Sequence, residues 1–170
     1  TYTVVVTAPN SCTAMTTVMV IDDTTPPDLT ATGGTITCLN PSITLTANST
    51  TPGVTYLWTD GHGVTSTEQN LTGITLVGMS TVVATAPNGC TTTTTVTVTE
   101  DTTPPDVTVM GGTITCAIPS ITLMASSMTI GVTYRWTYPN GLNSAEQNPG
   151  ASLIGTYTLE VTAPNGCTAM

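Results

Sequence analysis

Apolar and polar residues alternate one by one through most of this chain. In "ITLTANS" (Ile43–Ser49) an apolar side chain falls on every second position. In "VTYLWT", Val54, Tyr56 and Trp58 share one face, and Thr55, Leu57 and Thr59 share the other. In "TYTLEVT", Tyr157, Leu159 and Val161 stand opposite Thr158, Glu160 and Thr162. Period two over short runs marks half-buried strands, because successive side chains point to opposite faces of a sheet. The runs are broken by "PNG", "TPG" and "GG", and in "PNG" Gly89 or Gly166 is free to take a positive φ and close a hairpin. No stretch carries a helical period. The pattern predicts an all-β fold of short antiparallel strands packed as sandwiches.

The strands belong to a repeat. "GGTITC" occurs at Gly33–Cys38 and again at Gly111–Cys116, an offset of 78 residues. "GVTYLWT" (Gly53–Thr59) returns as "GVTYRWT" (Gly131–Thr137), also at offset 78. "TAPNGC" (Thr85–Cys90) returns at Thr162–Cys167 with offset 77, and "TAPNSC" (Thr7–Cys12) is the same element one period earlier. The opening "TYTVVVTAPNSCTAM" agrees with the closing "TYTLEVTAPNGCTAM" at 12 of 15 positions. A fixed period of this size means a tandem array of small domains. The expected division is 1–22 as the last two strands of a preceding repeat, 23–100 as a complete repeat, and 101–170 as a second repeat lacking most of its last strand. The chain is expected to be a window onto something longer, since it opens inside a strand pattern.

Composition narrows the function. Thr fills 44 of 170 positions, and a β-branched residue suits a pleated, half-covered surface. Aromatic residues are 4% and Phe is absent, so cores must be built from Val, Ile, Leu and Met around a few Trp and Tyr. Arg135 is the one Lys or Arg, set against ten acidic residues. A net charge of −9 argues against nucleic acid or an anionic membrane surface as partner. No apolar run approaches the ~18 residues that membrane insertion by a helix requires. A surface rich in hydroxyls and poor in charge suits an extracellular protein.

"TVTVTEDTTPPDVTV" resembles the junction between tandem bacterial immunoglobulin-like repeats. "GVTYLWTDG" and "GTYTLEVTAPNGC" resemble the Y-x-W and G-x-Y-x-V-x-V strands of PKD-like domains. The resemblance covers essentially the whole chain. It implies sandwich domains of long secreted or surface-anchored proteins that serve as stalks, fibres or adhesins, with copies joined head to tail. Ser80 departs from the pattern where the next copy has Tyr157, and Met79 is expected to fill the space.

The octapeptides "IDDTTPPD" (Ile21–Asp28) and "TEDTTPPD" (Thr99–Asp106) fall between sandwiches. Paired prolines fix φ, so each linker is short and semi-rigid. Asp22, Asp23 and Asp28 cluster at one linker, and Glu100, Asp101 and Asp106 at the other. Calcium binds several oxygen ligands, so one reading is an interdomain Ca²⁺ clamp; the other is a solvated acidic linker with no cofactor.

Five cysteines follow the period: Cys38 and Cys116 after "GGTIT", and Cys12, Cys90 and Cys167 after the turn. C-x-x-C spacing is absent and His62 is the lone histidine, so the pattern is that of extracellular disulfides rather than zinc. Cys38–Cys90 and Cys116–Cys167, with Cys12 paired outside the chain, would place Trp58 and Trp136 between bonded cysteines, as the immunoglobulin resemblance implies. Cys38 and Cys90 should nonetheless lie at opposite ends of a sandwich, which leaves open a staple from Cys38 to Cys167 in the next domain.

"NST" at Asn48 and "NLT" at Asn70 fit the N-glycosylation pattern, and the outward residues of "TTTTTVTVT", Thr91, Thr93 and Thr95, are candidates for O-linked sugar. Catalysis finds little support. His62 sits beside Asp60 in a Gly-flanked loop with no nucleophile, and Glu68 and Glu146 fall one per repeat, too far apart to act on one bond. The sequence therefore reads as a non-enzymatic, extracellular or cell-surface structural repeat, probed against one alternative: an adhesin module that binds carbohydrate or protein through its loops.

Overall fold

The computed structural model describes residues 1–170. The chain contains no helix. It opens with a hairpin, β1 (Tyr2–Thr7) against β2 (Thr13–Val18), whose residues are exposed on both faces.

The next eight strands are β3 (Thr30–Thr32), β4 (Gly34–Thr37), β5 (Ile43–Asn48), β6 (Thr55–Thr59), β7 (Thr65–Ser66), β8 (Leu71–Ile74), β9 (Gly78–Thr85) and β10 (Thr91–Asp101). They form two sheets, ordered β4-β10-β9-β6-β7 and β3-β5-β8. Between the sheets lie Ile36, Leu45, Ala47, Trp58, Val82, Val96 and Val98. Trp58, Leu45 and Val82 are fully buried, so the alternation in the sequence does mark the inward face. A buried Trp removes about 200 Å² from water, worth roughly 5 kcal/mol before entropic costs. The indole N–H donates to the Gln69 carbonyl at 3.1 Å, which keeps its polar atom satisfied. One ladder departs from the antiparallel expectation: β4 runs parallel to the end of β10, Gly34 facing Val98 and Thr37 facing Asp101. This is an immunoglobulin-like sandwich.

The remaining strands are β11 (Thr108–Met110), β12 (Ile121–Thr122), β13 (Met124–Ser126), β14 (Thr133–Thr137), β15 (Asn143–Ser144), β16 (Gly150–Ala151), β17 (Thr158–Thr162) and β18 (Thr168–Ala169). The sheet β15-β14-β17-β18 faces the pairs β11-β13 and β12-β16 over a second core of Leu123, Ala125, Trp136, Ala151, Leu159 and Val161. No strand of one sandwich packs extensively on a strand of the other.

Ser80 is buried, but Met79 does not fill the space left by a missing Tyr; it is 61% exposed. The substitution is coupled to a second one. In the later repeat Tyr157 packs edge-on against Tyr138, with centroids 5.2 Å apart, and its hydroxyl donates to the Leu153 carbonyl. The position matching Tyr138 in the earlier repeat is Asp60, so both rings of the pair are gone together.

Candidate functional site

The feature that stands out from both sandwiches is the joint between them. β10 is eleven residues long, and at about 3.3 Å per residue it spans roughly 35 Å. Cys90 precedes its start. Cys38 follows β4, whose last residue, Thr37, pairs with Asp101 at the far end of β10. A disulfide needs Cα atoms within about 7 Å, so Cys38 and Cys90 are out of reach of each other. The expected Cys38–Cys90 and Cys116–Cys167 pairing is therefore corrected. Cys38 is bonded to Cys167 of the following repeat, with Cα atoms 5.0 Å apart at a sequence separation of 129. Cys90 and Cys116 carry free thiols, as does Cys12.

The backbone around the bridge is fitted to it. The Leu39 N–H donates to the Asn165 carbonyl at 3.0 Å across the joint. The turn that carries Cys167 is closed by the Ala163 N–H to the Cys167 carbonyl and the Gly166 N–H to the Ala163 carbonyl, both at 2.9 Å. Gly166 has φ +81° and lies against Leu39, where an added Cβ would sit 2.6 Å from the Leu39 Cβ. Glycine is needed there for conformation and for space.

The asparagine of each turn anchors the linker that enters its own sandwich. The Asn88 amide donates to an Asp23 carboxylate oxygen at 3.1 Å and to the Thr25 carbonyl at 3.0 Å. The Asn165 amide donates to Asp101 at 2.9 Å and to the Thr103 carbonyl at 3.0 Å. In the sequence Asn88 and Asn165 stand out only as members of the "PNG" turns, and their recurrence before every second cysteine is the signal available. Pro27 and Pro105 are buried while Pro26 and Pro104 stay exposed, so each linker is packed on one side.

The linker carboxylates are bonded one by one to neighbouring groups. Asp28 accepts from the Thr50 N–H at 3.0 Å and from the Ser49 and Thr51 hydroxyls. Asp106 accepts from the Met128 N–H and from the Ser127 and Thr129 hydroxyls. These bonds hold both carboxyls below the usual carboxylate range, the backbone N–H groups of Thr50 and Met128 being the largest causes. Glu100 accepts from the Thr102 hydroxyl at 3.0 Å. With Asp23 and Asp101 held by the asparagines and Asp22 drawn into no shared set, no three acidic, His or Cys side chains converge as a metal site. The reason is direction: each sandwich uses its own carboxylate to cap its own loop.

Asn48, Asn70, Thr91, Thr93 and Thr95 are all exposed. Asp60 accepts from the N–H groups of Val64 at 2.8 Å and His62 at 2.9 Å, so it closes the loop; those bonds, Val64 first, lower its pKa. Glu68 and Glu146 are exposed, one on each sandwich. Their neighbours do the structural task. Gln69 donates to the Ala47 carbonyl at 2.8 Å, and Gln147 to the Ala125 carbonyl at 2.7 Å, each tying a loop to the opposite sheet.

A groove of about 420 Å³ opens on the later sandwich, lined by Val109, Ile114, Ile121, Trp136, Leu153 and Tyr157. The corresponding space in the earlier sandwich is closed by β4 and the second half of β10, with Val96 and Val98 buried. The chemistry at the joint is that of one disulfide.

No protein-family model matches the chain, and no curated protein is similar to it. Several solved structures are similar to it. A bacterial ice-binding adhesin of 1.5 MDa, described for its host cell surface retention, is similar with a TM-score of 0.50 at 12% identity, covering 86% of this chain and 62% of that one. Murine CEACAM1b gives a TM-score of 0.34 at 17% identity, covering 81% and 93%. The human desmocollin-1 ectodomain gives 0.36 at 14% identity, covering 95% and 38%. At 12% identity the likeness to the adhesin is one of fold alone.

Proposed function

We propose that this chain is a stretch of an extracellular filament or surface stalk, in which small immunoglobulin-like sandwiches follow one another as a stiff rod. The observation that carries the reading is the Cys38–Cys167 bridge. It joins one repeat to the next and lies outside both cores, so its effect is on the angle between domains. A joint that carries two covalent connections, the linker and the bridge, has little freedom to bend. Disulfides persist in oxidising compartments, which supports an extracellular setting. The exposed Thr91, Thr93 and Thr95 offer hydroxyls for O-linked sugar on the solvent face of β10. The task is mechanical and non-enzymatic.

Small-angle scattering of the 170-residue chain tests this. The oxidised protein is expected to scatter as an extended particle about 90 Å long, since each sandwich contributes roughly one long strand and its turns. Selective reduction should broaden the distance distribution while leaving the strand content intact. A compact particle near 45 Å, or a distribution unchanged by reduction, would overturn the proposal.

A further inference from the structure

We propose that the earlier sandwich binds one small neutral phenol, in the pocket between the loop that follows β6 and the loop that joins β8 to β9. The inference goes beyond the filament reading and does not rest on it.

The later repeat shows what fills this place. There the Tyr157 ring packs edge-on against the Tyr138 ring. The Tyr157 hydroxyl accepts from the Leu153 N–H at 3.2 Å and donates to the Leu153 carbonyl at 3.0 Å. Pro139 closes one side, since a Cβ added to Gly155 would fall 2.8 Å from the Pro139 Cγ. In the earlier repeat all three side chains are cut back together. Asp60 stands for Tyr138, Gly61 for Pro139 and Ser80 for Tyr157. Asp60 does not take over the work of a ring, because its carboxylate turns back to the N–H groups of Val64 and His62. Around Gly78, the counterpart of Gly155, nothing lies within 4 Å of an added Cβ.

The backbone that grips the tyrosine is kept although the tyrosine is gone. "LVG" (Leu76–Gly78) matches "LIG" (Leu153–Gly155), and the two glycines have φ +142° and +147°. Leu76 lies outside the strands and takes part in none of the turn and loop backbone bonds. Its N–H and carbonyl are the counterparts of the pair that holds the Tyr157 hydroxyl. What remains is a pocket of about 190 Å³ bounded by Asp60, His62, Ile74, Leu76, Val77 and Ser80, with glycines between them. Ser80 is buried, while Leu76 and Val77 are half exposed. Every wall comes from residues 60–80, inside the sandwich that β3 to β10 build.

These features set the chemistry of the occupant. It is a single flat ring, taking the volume of the absent tyrosine ring; an apolar cavity of about 150 Å³ is enough to hold benzene. It carries one hydroxyl that both accepts and donates, as the Tyr157 hydroxyl does at Leu153. A ring without that hydroxyl would strip water from the Leu76 N–H and carbonyl and return no partner, which disfavours it. A phenol, with an ordinary pKa near 10, enters uncharged at neutral pH.

The test uses the whole 170-residue chain and phenol itself, read by calorimetric titration and by amide chemical shifts. One site per chain is expected, with a dissociation constant at or below about 1 mM. Shifts should centre on Leu76–Gly78 and spare Leu153–Gly155, where tyrosine already occupies the place. Benzene should bind at least about tenfold more weakly. Ser80→Tyr puts a ring back and should weaken phenol binding at least about tenfold. Asp60→Tyr with Gly61→Pro and Ser80→Tyr restores the later repeat's whole filling and should abolish it, with strand content checked by circular dichroism. Should that triple variant fail to fold, Ser80→Tyr and the benzene comparison decide the matter. No saturable shift at Leu76–Gly78, equal affinity for benzene, or unchanged binding in Ser80→Tyr would overturn the inference.

Discussion

Gly166 and Leu39, from different repeats, meet more closely than any two side chains could: a Cβ on residue 166 would fall 2.6 Å from the Leu39 Cβ and 2.8 Å from its nitrogen. The two repeats are therefore registered by backbone against backbone, with the disulfide next in line at Cys167.

Gly166→Ala should destabilise the joint, by about 1–2 kcal/mol for the left-handed conformation and more for the collision. Gly89→Ala, with the same sign of φ and nothing nearby, should lose only the conformational part. Comparing the reactivity of Cys38 towards a thiol reagent under mild reduction in the two variants separates the effects. The prediction fails if both variants expose Cys38 equally.

Cys38→Ser should lower the free energy of complete unfolding by about 5 kcal/mol on loop entropy alone, because the bridge closes a loop of 129 positions. Cys90→Ser, which removes a free thiol, should be close to neutral in the monomer. Denaturant unfolding of the two variants makes the comparison.

Gln147→Leu removes the donor that satisfies the Ala125 carbonyl and should cost about 1–3 kcal/mol. Glu146→Gln, on the exposed neighbouring residue, should stay within about 0.5 kcal/mol of wild type. Thermal melting distinguishes them, and equal effects would show that the loop tie is unimportant.

Acid should weaken the fold in a defined window. Asp28 and Asp106 are held below the ordinary carboxylate range by N–H and O–H donors that bind the ionised form. Their contribution is complete above the unfolded pKa and is lost as pH falls from about 4 through the lower folded values. Melting temperature should hold steady from pH 7 to about 5 and then decline, and Asp28→Asn should flatten that decline.

The strands were legible because alternation is a local property, written into Val54–Thr59 and Thr156–Thr162 residue by residue. The Pro-Pro linkers and the inward tryptophans were legible for the same reason. The cysteine pairing was legible only as an alternative: the opposite ends expected for Cys38 and Cys90 pointed to Cys167, but the parallel ladder of β4 on β10 that decides it has no sequence mark of its own. The direction of the carboxylates was not legible, because a cluster in sequence says nothing about it; Asp28 and Asp106 turn back on Thr50 and Met128. Gln69 and Gln147 were hidden behind Glu68 and Glu146, whose charge drew attention although their side chains face solvent. Met79 was expected to replace a ring, and the loss of the facing ring at Asp60 removed the need.

The bridge also changes what happens when the chain is pulled. Force applied at Thr1 and Met170 travels along residues 1–38, crosses the sulfur bond and leaves through residues 167–170. At roughly 3.5 Å per residue that path yields at most about 150 Å of extension, against about 600 Å for the same chain reduced. The stretch between Cys38 and Cys167, including both tryptophans, is a covalently bypassed loop, and the load reaches it only through the ladders that β3, β4 and β18 make with its strands. Stretching therefore stops where the sulfur bond draws taut, after only β3, β4, β18 and the opening hairpin have been pulled out.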